Sequence, residues 1–548
     1  MKRISCLVFA PLATIAVLGL VSCSNPPVSA GPFTYYVSAD GDDSATGLKR
    51  ESAWKTLERA SEHHLQPGDT IMLIGMKPLI GELSLDSADA GDPAKPVRVT
   101  ADKDFPGIEA EGPAGITIID TSGVIVEDIS VSVAHDHSEI PTDGILLHAT
   151  EGSGSHSDIT VQRVRITGAY NGIAASSGGA GDGFDEVTIQ DAVVSDCIRN
   201  GIITYGPSAP DYGHKNIHIL DSVVSGTKGI NGIDKNSGSG IVIGSVADAV
   251  IERNEAYNNG VLSNADEGPI GIWTHDATRI LVRDNRSYDN SSQHSDGGGF
   301  GLDIATTNST LERNYSYNNA GPGFLLIAHQ GGSSSGENIV RYNTSIGDSW
   351  LNAYHGGISV IGGFSSAASE PRIEDTKIHH NTVFPAPSSG AAALKLRGNL
   401  NGISVHHNIF DTSAGYAPAV AAIDVSADSK VSFIANQLAV NTFTSLPVFD
   451  WNGEYMQTPD HAETLLPDSF DNFEYAPIYP GGYEISTVLD TIAWTKPVAV
   501  SSAVPADSSP ATLDLAGNAV EEPNPYVGAI NPVSSDQNAR RQNTFQKR

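Results

Sequence analysis

The sequence is short of cysteine, of basic residues and of long apolar runs, and each shortage narrows what the protein can be. Its 548 residues hold three cysteines, Cys6, Cys23 and Cys197. The first two fall within and at the end of a leader, so Cys197 stands alone and no intramolecular disulfide frames the fold. A lone Cys197 reads as a small buried hydrophobe. Lys and Arg number 32 against 64 Asp and Glu, for a formal net charge of −32. Nucleic-acid binding needs a basic surface that displaces counterions, so the charge excludes that partner. The one sustained apolar run, Leu7 to Leu20, is too short to read as a membrane span.

What is abundant is glycine, with 56 residues, alongside Asn, Ser, Asp and Thr, while charged residues make up only 18%. That is the make-up of an all-β chain with many turns. Residues 1–22 read as a signal peptide, with Lys2 and Arg3 ahead of the apolar run. Leu20-Val21-Ser22-Cys23 resembles a bacterial lipobox, which makes Cys23 the lipidated first residue of the mature chain. The expected location is the bacterial cell envelope, with membrane contact only through that lipid. Residues 23–34 then read as a tether.

Tyr35-Tyr36-Val37-Ser38 reads as a strand. Ser52 to His64 reads as an amphipathic helix capped by Ser52, with Trp54, Leu57 and Ala60 near one face. Pro67-Gly68-Asp69-Thr70 turns into a strand over Ile71 to Ile74. The order resembles the N-terminal cap of right-handed parallel β-helix proteins, which covers an open sheet edge. A repeat follows, marked by Asn254, Asn285, Asn314, Asn343, Asn381 and Asn408, each closing a strand-like triplet. The steps are 31, 29, 29, 38 and 27 residues. Units of this length cannot bury an apolar face alone, but a stack of them builds one continuous core. The recurring asparagines then form a ladder between coils. The fold expected is an all-β right-handed parallel β-helix over residues 35–530, with an N-terminal cap helix. The repeat fades beyond Asn436, Leu513 to Ile530 resembles a closing segment, and 531–548 reads as a disordered tail.

Each unit opens on a Gly-apolar pair, and aligning those pairs sets a register. Phe300 matches Ile241, Ile272, Phe324, Ile358 and Leu394, all inward. Asp303 matches Gly244, His275, Ile327, Ile361 and Arg397, all outward, and Gly301 matches Trp273 and Lys395. Asp296 precedes Asp303 by seven positions, roughly 23 Å if extended. Gly297, Gly298 and Gly299 are expected to bend the chain back so that both acids share a site. Asp296 falls beside the turn carrying Asp266 and Glu267, and later turns offer His329, Gln330, Tyr354 and His355. Two carboxylates, an aromatic platform and polar groups are what carbohydrate chemistry needs. On this reading Asp296 and Asp303 are catalytic, and Glu267, Trp273, His275, His329, His355, Lys395 and Arg397 bind substrate.

The run Asp-Gly-Gly-Gly-Phe-Gly-Leu-Asp (296–303), with Thr307-Asn308-Ser309 and Glu312-Arg313-Asn314-Tyr315-Ser316, resembles bacterial β-helix glycosidases of the lacto-N-biosidase group, glycoside hydrolase family 136. The resemblance implies a glycoside hydrolase acting on an extracellular oligo- or polysaccharide. It makes Asp303 a nucleophile that stays ionised and Asp296 an acid/base with a raised pKa, in a retaining reaction. It implies a monomer with no cofactor, beyond a structural Ca²⁺ held by carboxylates. The rival readings are a polysaccharide lyase or epimerase that uses Lys395, Arg397 or a histidine on a uronate, and a non-catalytic glycan-binding β-helix.

Overall fold

The computed structural model describes residues 31–474, apart from 135, 136, 138, 139, 330 and 467. The signal peptide, Cys23, most of the tether, Gln330, the closing segment and the tail therefore lie outside the described residues. Among the described residues no helix is long and apolar enough to cross a membrane.

The chain winds into a parallel β-solenoid of about 13 turns. Among the described residues, one 28-stranded sheet wraps two faces and a 14-stranded sheet forms the third. The wrapping is continuous because some strands, Ser239–Glu252 and Ile270–Arg283 among them, run through a corner without a break. Left-handed residues make those corners, for example Ser245 and Asp248, then Asp276 and Arg279. The register expected from the Gly-apolar pairs holds throughout. Phe300 pairs with Ile272 and Phe324, Phe324 with Ile358, and Ile358 with Leu394. These inward side chains are fully buried, and the Phe300 and Phe324 rings stack at 5.2 Å. Each such residue contributes roughly 1.5–3 kcal/mol of burial.

The asparagine ladder has a simple local cause. The residue before each rung is left-handed, as Arg253, Asp284, Arg313, Tyr342, His380 and His407 are. The strand ends there and its backbone groups turn inward without β partners. The asparagine supplies them. Asn285 Nδ2 donates to the Ile251 carbonyl at 2.8 Å, and its Oδ1 accepts from the Asn254 N–H at 2.8 Å. The ladder does not end at Asn436, beyond which the repeat was expected to fade, but runs from Asn408 through Asn436 to Asn472. A second ladder at the next corner joins Asn259, Asn290 and Asn319 and ends on Asp348.

At the N-terminal end the fold begins earlier than expected, since the Phe33 N–H donates to Asp69 and Thr34–Val37 is a strand. The cap helix is shorter than Ser52 to His64. It spans Leu57–Ser61, and Thr56 rather than Ser52 caps it by accepting from the Arg59 N–H. Trp54 is not on the helix. It forms a β-bridge with Val37, buried against the Tyr35 ring. Cys197 is fully buried, and burial pushes its thiol pKa far up, as suits a packing residue.

Candidate active site

A groove of about 1020 Å³ opens on the outer wall of the coils, and Asp296 and Asp303 both line it. Asp303 follows the strand Gly298–Leu302, next to His275 on the preceding coil, with its N–H bonded to the Thr274 carbonyl at 2.8 Å. Its Oδ1 accepts from the Ile304 N–H at 2.6 Å. Asp296 sits at the turn lip. Its Oδ2 accepts from the Gly268 N–H at 3.0 Å and its Oδ1 from His355 Nε2 at 2.9 Å.

The bend that brings the two acids to one groove differs from the one expected. Only Asp296 and Gly297 are left-handed, at φ 55° and 72°. Gly298 and Gly299 belong to the strand and are glycines because of crowding. A Cβ on Gly299 would lie 2.2 Å from Ser316 Oγ, and one on Gly298 would lie 2.6 Å from the Pro322 carbonyl oxygen. Gly321 packs equally tightly on the Asp296 backbone, where a Cβ would lie 2.2 Å from its carbonyl oxygen.

Burial, with the Asp296 charge adding to it, pushes the Asp303 pKa up to about 6, against the pull of His329 and His275. The sequence expectation gave Asp303 no such lift. Asp276 is also part of the site. It accepts from His275 Nδ1 at 3.0 Å and from the Ala209 N–H at 3.0 Å. Burial disfavours its charge, but those bonds outweigh it and hold Asp276 below the usual carboxylate range. His275 packs against Trp273, whose Nε1 donates to Ser239 Oγ at 3.0 Å.

Glu267, Trp273, His275, His329 and His355 all line the groove, as expected. Lys395 and Arg397 do not. Their register is the expected one, but the loop between Ser349 and Gly357 covers them. Lys395 Nζ donates to the Ala353 carbonyl, and burial together with Arg397 lowers its pKa. Arg397 lies over the Phe364 ring and pairs with Asp424 at 3.6 Å. The sequence reading missed Asp143, Tyr170, Arg199, Asn200, Tyr205 and Lys235, which extend the groove towards the N-terminal coils. The available signal was the repeated opening Asn171-Gly172-Ile173 and Asn200-Gly201-Ile202, which puts a polar residue at the same wall position on successive coils. Away from the groove, His379, His380 and His406 bring ring nitrogens within 4.8 Å of one another, a set that could hold a metal ion. The His379 and His406 rings stack nearly parallel, at 9°, so their in-plane lone pairs do not converge on one point.

A family model described as a right-handed beta helix region matches residues 181–367. No curated protein matches the chain. Among solved structures it is similar to the lacto-N-biosidase of glycoside hydrolase family 136 from Eubacterium ramulus, at 16% identity and a TM-score of 0.44, over 73% of this chain and 66% of that one. It is also similar to the A-module of mannuronan C-5 epimerase from Azotobacter vinelandii, at 15% identity and a TM-score of 0.40, over 67% and 88%. A third is the Dettilon tailspike protein, at 15% identity and a TM-score of 0.44, over 62% and 60%. The chain thus spans just under two thirds of the length of the lacto-N-biosidase. The right-handed parallel β-helix fold rests on the family model together with the coil register.

Proposed function

We propose that the protein is a glycoside hydrolase acting on an extracellular glycan, with Asp296 and Asp303 as its carboxylate pair. One observation carries the reading: a carboxyl lifted to about 6 by burial, in electrostatic contact with a second carboxylate, on the wall of an open groove. Two carboxylates with different proton affinities are the parts that glycosidic cleavage uses. Asp303, protonated below about pH 6 and in a minority of molecules at neutral pH, serves as the acid that protonates the leaving oxygen. Asp296, fixed by the Gly268 N–H and His355, serves as nucleophile or base at the anomeric carbon. These roles exchange the two assigned on resemblance. Trp273 offers an apolar face for a sugar ring, and the lipid on Cys23 would hold the enzyme at the cell envelope.

A second reading, epimerisation or elimination beside a uronate, is favoured by the His275–Asp276 pair. Asp276 fixes Nδ1 and leaves Nε2 to carry a proton. It draws no support from Lys395 or Arg397, which stand outside the groove. Product analysis on a panel of oligosaccharides separates the readings. A hydrolase yields new reducing ends without unsaturated uronate, and both Asp296→Asn and Asp303→Asn sharply reduce that yield. Unsaturated products would support the second reading. Cleavage unchanged in both variants would remove the carboxylate pair.

A further inference from the structure

Two cations line the acidic groove, and neither is used by the proposed chemistry. Arg199 is half-buried and Lys235 exposed, and both face the groove. Arginines elsewhere are mostly paired, as Arg253, Arg279, Arg283, Arg313 and Arg341 are. Among the described residues Arg199 and Lys235 have no ion pair and no side-chain hydrogen bond. Asp143, electrostatically coupled to Arg199, does not take up the guanidinium. It turns Oδ1 to the N–H and Nδ2 of Asn171, at 2.9 and 3.0 Å. Beside them Asn200, only 2% exposed, has an Oδ1 without a hydrogen-bond partner. That is an unpaired buried acceptor beside the two cations. Tyr205, 42% exposed, adds an aromatic face.

We propose that Arg199 and Lys235 form an anion-recognising subsite of the groove, which binds a carboxylate or sulfate ester on a sugar unit remote from the cleaved bond. The inference rests on the glycan reading above and names the substrate class. Asn200 stands three coils before Gly298 in the paired register. At an inter-strand spacing of roughly 4.8 Å this is about 14 Å along the wall. That is farther than the screening length of ~8 Å at physiological salt, so Asp296 and Asp303 do not cancel the attraction of Arg199. The coil spacing also matches the advance of a glycan by about one sugar unit per coil. The subsite therefore selects a chain several units long, with the charged unit on the N-terminal side of Asp303. Arg199 offers a planar fork suited to either oxyanion and Lys235 a mobile charge at the rim.

The test is binding of hexasaccharides by titration calorimetry, with a neutral xylan fragment, a galacturonan fragment and a carrageenan fragment as probes, at low and high salt. The proteins are the full chain and its Arg199→Gln/Lys235→Gln variant, with circular dichroism to confirm that both are folded. We expect at least one anionic probe to bind more tightly than the neutral one, with affinity that falls as salt rises. The double variant should weaken that probe about tenfold or more and leave the neutral probe unchanged. The probe that loses affinity identifies the substituent, the galacturonan for a carboxylate and the carrageenan for a sulfate ester. Equal binding of neutral and anionic probes, or anionic binding untouched by the double variant, overturns the subsite and leaves the glycan reading standing. Failure of every probe to bind overturns both.

Discussion

Asp303→Asn should stabilise the protein at high pH and do nothing for it at low pH. The cause is the lift of the Asp303 pKa from 3.8 to about 6, chiefly by burial. The native state therefore binds a proton that the unfolded chain has already lost. A group raised in this way is fully tolerated below the unfolded value near 4. Stability is lost progressively as pH climbs towards about 6, and above that the whole penalty is present. A lift of about 2 units at 1.36 kcal/mol each gives on the order of 3 kcal/mol. Asparagine keeps the shape and discards the charge. For a chain this long, about 1 °C of melting temperature accompanies each kcal/mol, so the variant should melt roughly 2–3 °C higher than wild type at pH 8 and level with it at pH 4. Differential scanning calorimetry at the two pH values measures this. A melting difference that is the same at both would refute the claim that Asp303 is held in a site hostile to its charge.

Two further substitutions probe the scaffold and the pair. Asn314→Ala leaves the Val282 carbonyl and the Asn285 N–H without the partners they have at 2.8 and 3.1 Å. It should cost about 2–4 kcal/mol, read by native-state hydrogen exchange as faster exchange confined to the coils around residues 282–314. His355→Phe removes the donor from Asp296 Oδ1 while filling the same buried space. It should lower kcat about tenfold with little change in KM, because it acts through the position of Asp296 and leaves the rest of the groove in place.

The coil register was fully legible in the sequence because side-chain alternation and the stacking distance leave little freedom once an apolar anchor such as Phe300 is chosen. The outward direction of Asp303, its neighbour His275 and the asparagine ladder all followed from it. What register alone does not carry is the covering of each wall. Lys395 and Arg397 stand on the expected face, yet the loop that bears Ala353 and Tyr354 shields them. Arg199 and Lys235 reach the groove from a strand lip and a loop, outside the aligned positions. The cap helix was overextended because Trp54 fits a helical face by spacing, whereas its pairing with Val37 is a tertiary choice. The three glycines looked like one bend. One is a turn residue, and the other two are set by the close approach of Pro322 and Ser316, which no local pattern reveals. The lift of the Asp303 pKa was likewise hidden, since it depends on how deeply that carboxyl is buried.

The central claim is that Asp303 delivers the proton. The pH dependence of kcat/KM for glycan cleavage by the wild-type protein tests it most directly. With Asp303 as acid, kcat/KM should fall as pH rises through about 6, and the slow residual cleavage by Asp303→Asn should show no such limb. A wild-type profile that stays flat from acid to mildly alkaline pH, or an alkaline limb that persists in Asp303→Asn, would contradict it.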